Sequence, residues 1–364
     1  MLSLLKVKMS NSFFITGCVR SGTTLLEKLL CNHPELSALS QPFPSLYIKI
    51  KKDFINSLGF DEYFVLSNYV GESRYCFNDF DEYVNNKLFS PTFVQDEINS
   101  SYSGNLTSNL KYEIKEEQNF KAVYELLTKQ NSHNSKAKLF GSKEVLCEEF
   151  APYFIKNGIK VIHIVRDPRD VISSIKKGDG DKFIGNVKPL LFELRNWRKS
   201  VQLAIQFQGN PNFMTLNYED LVQETDKSLL KICDFLKIEA YSPEAFNQGI
   251  RTQEGEIWSS NSSFGGVSGA ISSSSIGKHK ELLSQGVNEY ISTICLPELN
   301  ELSIVHSTNT DFAKTIESFV EPNAVTDYHL PSDFSSTQEA IDYEIKRLTS
   351  YFDKKLTYEF YCRQ

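Results

Sequence analysis

The chain has 364 residues, 40% hydrophobic and 23% charged, with a formal net charge of −7. This balance supports one large α/β domain with additions, and it argues against a general nucleic-acid binder, which needs a basic face. No run approaches the roughly 20 apolar residues of a membrane span. The seven scattered cysteines (Cys18, Cys31, Cys76, Cys147, Cys233, Cys295, Cys362) match no zinc-ligand or disulfide pattern, so reduced thiols in a cytoplasmic protein and no metal site are expected.

The opening MLSLLKVKMSNS lacks the apolar core and cleavage site of a signal peptide. Phe13, Phe14 and Ile15 then predict a buried parallel strand. Gly17 and Gly22 bracket a tight loop, and Leu25, Leu26, Leu29 and Leu30 follow a helical period. The loop reads G-x-x-x-x-G-T-T, a Walker A outline in which Thr23 stands where the lysine would be and a basic residue, Arg20, lies three positions earlier. Amides at such a helix start attract anions, which makes Arg20, Ser21, Gly22, Thr23 and Thr24 a candidate phosphate or sulfate loop. Cys18, inside it, is expected to fill space. Asn32-His33-Pro34 stops the helix, and Glu35 to Ser45 reads as a loop.

Residues 46–138 are rich in aromatics and acids and predict a mainly helical insertion. Its aromatic stripes point to core, or to the wall of an acceptor pocket. Lys138 to Glu149 predicts a short strand, a turn with Lys143 and Glu144, then a helix to Ile155 closed by Asn157-Gly158. Lys160 to Val165 is the clearest buried strand, with His163 expected as a core histidine. It runs into Arg166-Asp167-Pro168-Arg169-Asp170 and a helix from Val171. Ligands in open α/β sheets sit at the carboxyl ends of strands, so this is a second candidate site. A helix over 187–208, a strand from Phe213 to Leu216, the turn Tyr218-Glu219-Asp220-Leu221 and a helix over 228–236 follow. Residues 259–280 form a Gly/Ser-rich stretch ending in Ile276-Gly277-Lys278-His279-Lys280, readable as a lid or as a plain linker. A further helix starts near Leu282, and the tail, 303–364, predicts two helices.

Four of these segments together resemble the PAPS-dependent sulfotransferases. Arg20-Ser21-Gly22-Thr23-Thr24 is similar to their 5′-phosphosulfate loop. Arg166, followed eight positions later by Ser174, is similar to their 3′-phosphate motif. Tyr218-Glu219-Asp220-Leu221 resembles their Y-E-D-L turn, whose tyrosine lies near adenine. SSSSIGKHKELLS resembles the late segment that closes over the 3′-phosphate, which brings in Ser274, Gly277 and Lys278. The likeness runs over 13–45 and 139–300, and it implies a P-loop-like fold with a central, mainly parallel sheet flanked by helices. The implied donor is 3′-phosphoadenylyl sulfate (PAPS), the implied product adenosine 3′,5′-bisphosphate (PAP), and no metal is required. The expected organisation is a transferase domain over 11–302 and a C-terminal extension over 303–364.

Sulfuryl transfer builds charge on the oxygen that leaves, so the protein must hold the donor and supply positive charge there. Arg20 is the first candidate, and Lys143 is a second cation or an exposed turn lysine. In one branch of the family a glutamate follows the loop arginine by twenty-one positions, where this chain has Gln41. In another branch a histidine precedes the 3′-phosphate arginine by twenty-two positions, where this chain has Glu144. Glu144 is therefore the candidate general base, or else a carboxylate at a helix start; His279 and His133 are reserves. The expected partner is a small-molecule acceptor, with neither nucleic acid nor membrane. Competing readings are a P-loop nucleotide kinase or NTPase, and a non-catalytic nucleotide-binding module.

Overall fold

Seven strands are described, in chain order Ser12–Thr16 (β1), Leu36–Ser40 (β2), Leu88–Phe89 (β3), Gln118–Asn119 (β4), Leu139–Lys143 (β5), Lys160–Val165 (β6) and Phe213–Asn217 (β7). Five of them build one parallel sheet in the order β2-β5-β1-β6-β7, and β3 and β4 form a separate antiparallel pair. These elements come from a computed structural model, which describes residues 10–59, 77–99, 113–176, 188–242, 245–259, 269–304, 311–323, 325 and 336–353.

The sheet is covered on both sides, as the continuous apolar character of β1 and β6 requires. Along β1, Phe14 faces one layer while Phe13 and Ile15 face the other; along β6, Val161 and Val165 alternate with Ile162 and Ile164 in the same way. The Thr23–Cys31 helix lays Leu25, Leu26 and Leu29 on the Ile15 side. Burying each such side chain is worth about 1.5–3 kcal/mol. On the opposite side Phe14 meets Phe154 at 4.6 Å and Tyr47 at 5.9 Å between ring centroids. Tyr124 tightens this layer, since its hydroxyl donates to the Phe13 carbonyl at 2.5 Å and accepts the Ser142 N–H at 3.0 Å.

The aromatic insertion therefore resolves into core over its described part. Tyr47, Phe54, Phe80, Phe89, Phe120 and Tyr124 are all buried in that layer. The aromatics at 60–75 lie outside the described residues. His163 is a core histidine, with Nε2 2.8 Å from Ser200 Oγ. Burial, with Lys199 nearby, pushes it down to about 3, so it is neutral.

Other expectations need correction. Glu35 to Ser45 is not all loop, because Leu36–Ser40 is the edge strand β2. Its serines mask the alternation, and its edge is covered by side chains, Asn134 Nδ2 donating to the Leu36 carbonyl at 3.0 Å and Gln253 Nε2 to that of Ala38. The helix expected after Glu144 starts only at Ala151, behind a short 3-10 turn over Glu148–Phe150. Tyr218 opens a helix, Tyr218–Gln223, rather than a turn. The helix read over 187–208 spans Leu190–Gln206. Two tail helices are described, Phe312–Glu317 and Thr337–Phe352. The second brings Glu344 onto the Leu190–Gln206 helix, where it pairs with Arg195 at 3.1 Å and Arg198 at 2.9 Å, all three buried.

Candidate functional site

Three chain segments far apart in sequence meet at the carboxyl ends of β1, β6 and β7. The first is the loop after β1. Gly17 and Gly22 have φ of 158° and 102°, and between them Arg20 takes the left-handed region at 64°. For a side-chain-bearing residue that conformation costs about 1–2 kcal/mol, a strain often found where a backbone is shaped around a ligand. The loop is braced from within, because Ser21 donates both its N–H (3.1 Å) and its hydroxyl (2.6 Å) to the Cys18 carbonyl. Ser21 is thereby used inside the loop. The first-turn amides of the Thr23–Cys31 helix have no acceptor within that helix and remain available to an anion.

The second segment follows β6. Arg166 Nη1 donates to the Arg20 carbonyl at 3.1 Å, and Arg20 Nε donates to Ser174 Oγ at 2.9 Å, so the two motifs interlock. The Arg166 carbonyl is held by Trp197 Nε1 at 2.8 Å. The third segment follows β7. The ring of Tyr218 lies 4.4 Å from Arg166 Cζ, a cation–π stack. Gly22 is required by this packing, because a Cβ there would lie 2.3 Å from the Tyr218 ring.

The expected late segment also arrives, shifted by one residue. Ser275, not Ser274, reaches the cluster: its carbonyl accepts Arg166 Nη2 at 2.7 Å and its hydroxyl is 2.7 Å from Tyr218 Oη. Ser274 is exposed and takes a hydrogen bond from Ser272. Lys278 pairs with Glu281 at 2.8 Å and is not among the side chains that meet Arg166. Gly277 contributes its N–H, which goes to Asp170. Residues 260–268 of the lid-like stretch lie outside the described residues.

Electrostatically this cluster is unusual. The acceptors of the Arg166 guanidinium are two neutral carbonyls, and its buried Nε has no partner among the described residues. Glu219 is the carboxylate that feels Arg166, yet its Oε1 accepts the Asp167 N–H at 3.1 Å, and burial pushes its carboxyl up. Asp167 is tied to Arg169 at 2.6 Å. Burial first, and then Arg166, lower the pKa of Arg20. The Arg166 guanidinium thus faces neutral dipoles among its described hydrogen-bond partners.

Beside it, β5 ends at Lys143 next to β1, and the N–H of the following Glu144 donates to the Ile15 carbonyl at 3.0 Å. Lys143 is buried, not an exposed turn residue. Its Nζ donates to Gln41 Oε1 at 3.0 Å, and its carbonyl accepts the Gln41 N–H at 2.8 Å. Burial lowers its pKa, against the pull of Glu27 and Glu144. Glu144 is buried as well and starts no helix. Burial pushes its carboxyl up to about 8, while the Phe43 N–H at 3.2 Å and Lys143 hold it back. His279 has Nδ1 2.9 Å from Asn288 Oδ1, and His133 is exposed. Sequence reading missed Asp170, Gln41 as the partner of Lys143, and Trp197. Each acts through a long-range hydrogen bond that no local pattern announces.

A family model described as "Sulfotransferase domain" matches residues 10–303. Sulfotransferase 2B1 of Mus musculus is 29% identical over 106 residues, 26% of this chain and 31% of that protein. Sulfotransferase 2A1 of Homo sapiens is 30% identical over 127 residues, 32% of this chain and 44% of that protein. The matches thus span less than half the length of either relative. Among solved structures, a sulfotransferase domain from the curacin biosynthetic pathway is 18% identical with a TM-score of 0.46, covering 82% of this chain and 100% of that one. Retinol dehydratase in complex with androsterone and the inactive cofactor PAP is 15% identical with a TM-score of 0.38, covering 84% of each chain.

Proposed function

The chain belongs to the sulfotransferase domain family, and we propose that it moves a sulfuryl group from PAPS to a hydroxyl, amine or guanidine of a small-molecule acceptor. The observation that carries this reading is the Arg20–Arg166 pair. Two charged guanidiniums interlock beside a Gly-rich loop, and Arg166 keeps a buried Nε with no partner among the described residues. A buried donor of that kind fits an anion that the protein itself does not supply.

PAPS brings an activated sulfate whose departing oxygen gathers negative charge. Thr23, Thr24 and the first-turn amides would hold its 5′-phosphate, Arg166 with Ser174 its 3′-phosphate, and Tyr218 would lie near its adenine. Arg20 and Lys143 supply positive charge where the S–O bond breaks, in the role that metal ions fill for phosphoryl groups. Glu144 takes the proton of a hydroxyl acceptor as the acceptor oxygen bonds to sulfur and PAP leaves with the electron pair of the broken bond. A carboxyl raised by burial needs a pH near or above its own pKa for that role, so turnover with a hydroxyl acceptor rises toward about pH 8. We read 11–302 as the transferase domain and 303–364 as an extension docked on it. The cytoplasmic setting belongs to the same proposal and is supported by the free thiols of Cys18, Cys31, Cys147, Cys233 and Cys295. Among the described residues no helix is long and apolar enough to cross a membrane.

The test is PAP release from PAPS with a panel of alcohols, phenols, amines and guanidines, with and without EDTA. Acceptor-dependent release that survives EDTA is expected. Magnesium-dependent cleavage of ATP or GTP would favour the kinase reading, and PAP binding without release from PAPS the non-catalytic one.

A further inference from the structure

Asp170 lies in the first turn of the Pro168–Lys176 helix and is 1% exposed. A carboxylate there usually serves its own helix start. Asp170 instead reaches a segment about a hundred residues further along. Its Oδ2 accepts the Gly277 N–H at 2.7 Å and its Oδ1 accepts the His279 N–H at 3.0 Å. Two amides this close in sequence reach one carboxylate because the chain bends at Gly277, whose φ is +72° with nothing within 4 Å of where a Cβ would sit. Glycine serves there for its conformation rather than for room.

The bend fixes what precedes it. Ser275 places its carbonyl 2.7 Å from Arg166 Nη2 and its hydroxyl 2.7 Å from Tyr218 Oη. On the other side His279 is held in turn, its carbonyl accepting Asn288 Nδ2 at 3.2 Å. The segment that meets Arg166 and Tyr218 is thus anchored at Asp170 and braced at Asn288.

We infer that Asp170 is a positioning residue for the donor site. It ties the Ser275–His279 segment down, so that Arg166 and Tyr218 stand ready for the 3′-phosphoadenosine end of the donor, without touching the donor itself. The inference rests on the donor reading proposed above. It requires the carboxylate, because both oxygens accept; an asparagine of the same shape would turn an NH2 group toward one of the two amides.

Wild type, Asp170→Asn and Gly277→Ala are compared by PAP titration, by steady-state kinetics and by hydrogen exchange of the Gly277 and His279 amides in the ligand-free protein. Gly277→Ala leaves the carboxylate in place and strains only the bend, so it serves if Asp170→Asn does not fold. For either variant, loss of hydrogen bonds to a charged group predicts PAP affinity lower by about tenfold. Donor KM is expected to rise in step, with kcat and acceptor KM close to wild type and with both amides exchanging faster. PAP affinity equal to wild type in both variants, or unchanged protection of the two amides, overturns the inference. So does a fall in kcat and a rise in acceptor KM alongside the donor KM, which marks general loosening. Failure of the wild type to bind PAP strikes the donor reading instead.

Discussion

Among the described residues, two clusters of arginines stand in contrast. On the tail side of the Leu190–Gln206 helix, Arg195 and Arg198 are buried against Glu344 and Glu298, with Arg347 2.8 Å from Glu344. On the sheet side of the same helix, Trp197 holds the carbonyl of Arg166, and the acceptors described for the Arg166 guanidinium are two carbonyls. Charge matched by charge is a structural joint, whereas charge facing neutral dipoles is poised for an anion from outside. The contrast extends to two buried glutamates. Burial alone would raise Glu344, but Arg198, Arg347 and Arg195 outweigh it and hold the carboxyl at about 2. At Glu144 burial wins, and the carboxyl rises to about 8.

Removing one partner from the matched cluster has the largest expected effect. Glu344→Ala takes one carboxylate from buried Arg195 and Arg198, leaving Arg198 with Glu298, and costs about 3–5 kcal/mol of stability. Denaturant unfolding checks this, and a variant as stable as wild type would break the comparison from the structural side. In the Arg166 cluster the loss falls on function. Arg20→Ala lowers turnover by about a hundredfold or more while the unfolding midpoint barely moves. A variant that turns over normally, or one that unfolds as readily as Glu344→Ala, would erase the distinction.

The two glutamates give a smaller, sharper test, because their pH effects have opposite sign. An unfolded glutamate titrates near 4.3. Glu344 titrates lower when folded, so its contribution is present above about pH 5 and is lost as pH falls toward about 2. Glu144 titrates higher when folded, so the folded protein keeps a proton the unfolded chain has released. Stability therefore declines as pH rises from about 5 through about 8. Glu144→Gln should flatten the alkaline arm of the stability profile and leave the acid arm alone. An alkaline arm as steep as that of wild type would remove Glu144 from the account.

The Arg166 cluster was largely legible in the sequence. Gly17, Arg20, Gly22 and the leucines after them form one continuous local pattern, and β6 announces itself by its β-branched run Val161, Ile162, Ile164 and Val165 before Arg166. The edge strand β2 was not legible, because Ser37 and Ser40 break its apolar alternation and its pairing with β5 is a long-range choice. Ser275 could not be told from Ser274 within a run of four serines, since nothing but Arg166 and Tyr218 distinguishes them. The matched cluster was hidden for a similar reason: Glu344 lies on a helix whose own period says only that one face is apolar. The insertion leaves two readings open in sequence, for an aromatic-rich stretch looks alike whether it faces a ligand or Phe14.

The central claim is that the Arg20–Arg166 cluster holds an adenosine nucleotide bearing a 3′-phosphate. Titration calorimetry of the wild type and Arg166→Ala with PAP, ATP and GTP tests it most directly. The account predicts that PAP binds the wild type in preference to ATP and GTP, and that Arg166→Ala weakens PAP while retaining the fold. Equal binding of all three nucleotides, or PAP affinity untouched by Arg166→Ala, would contradict it.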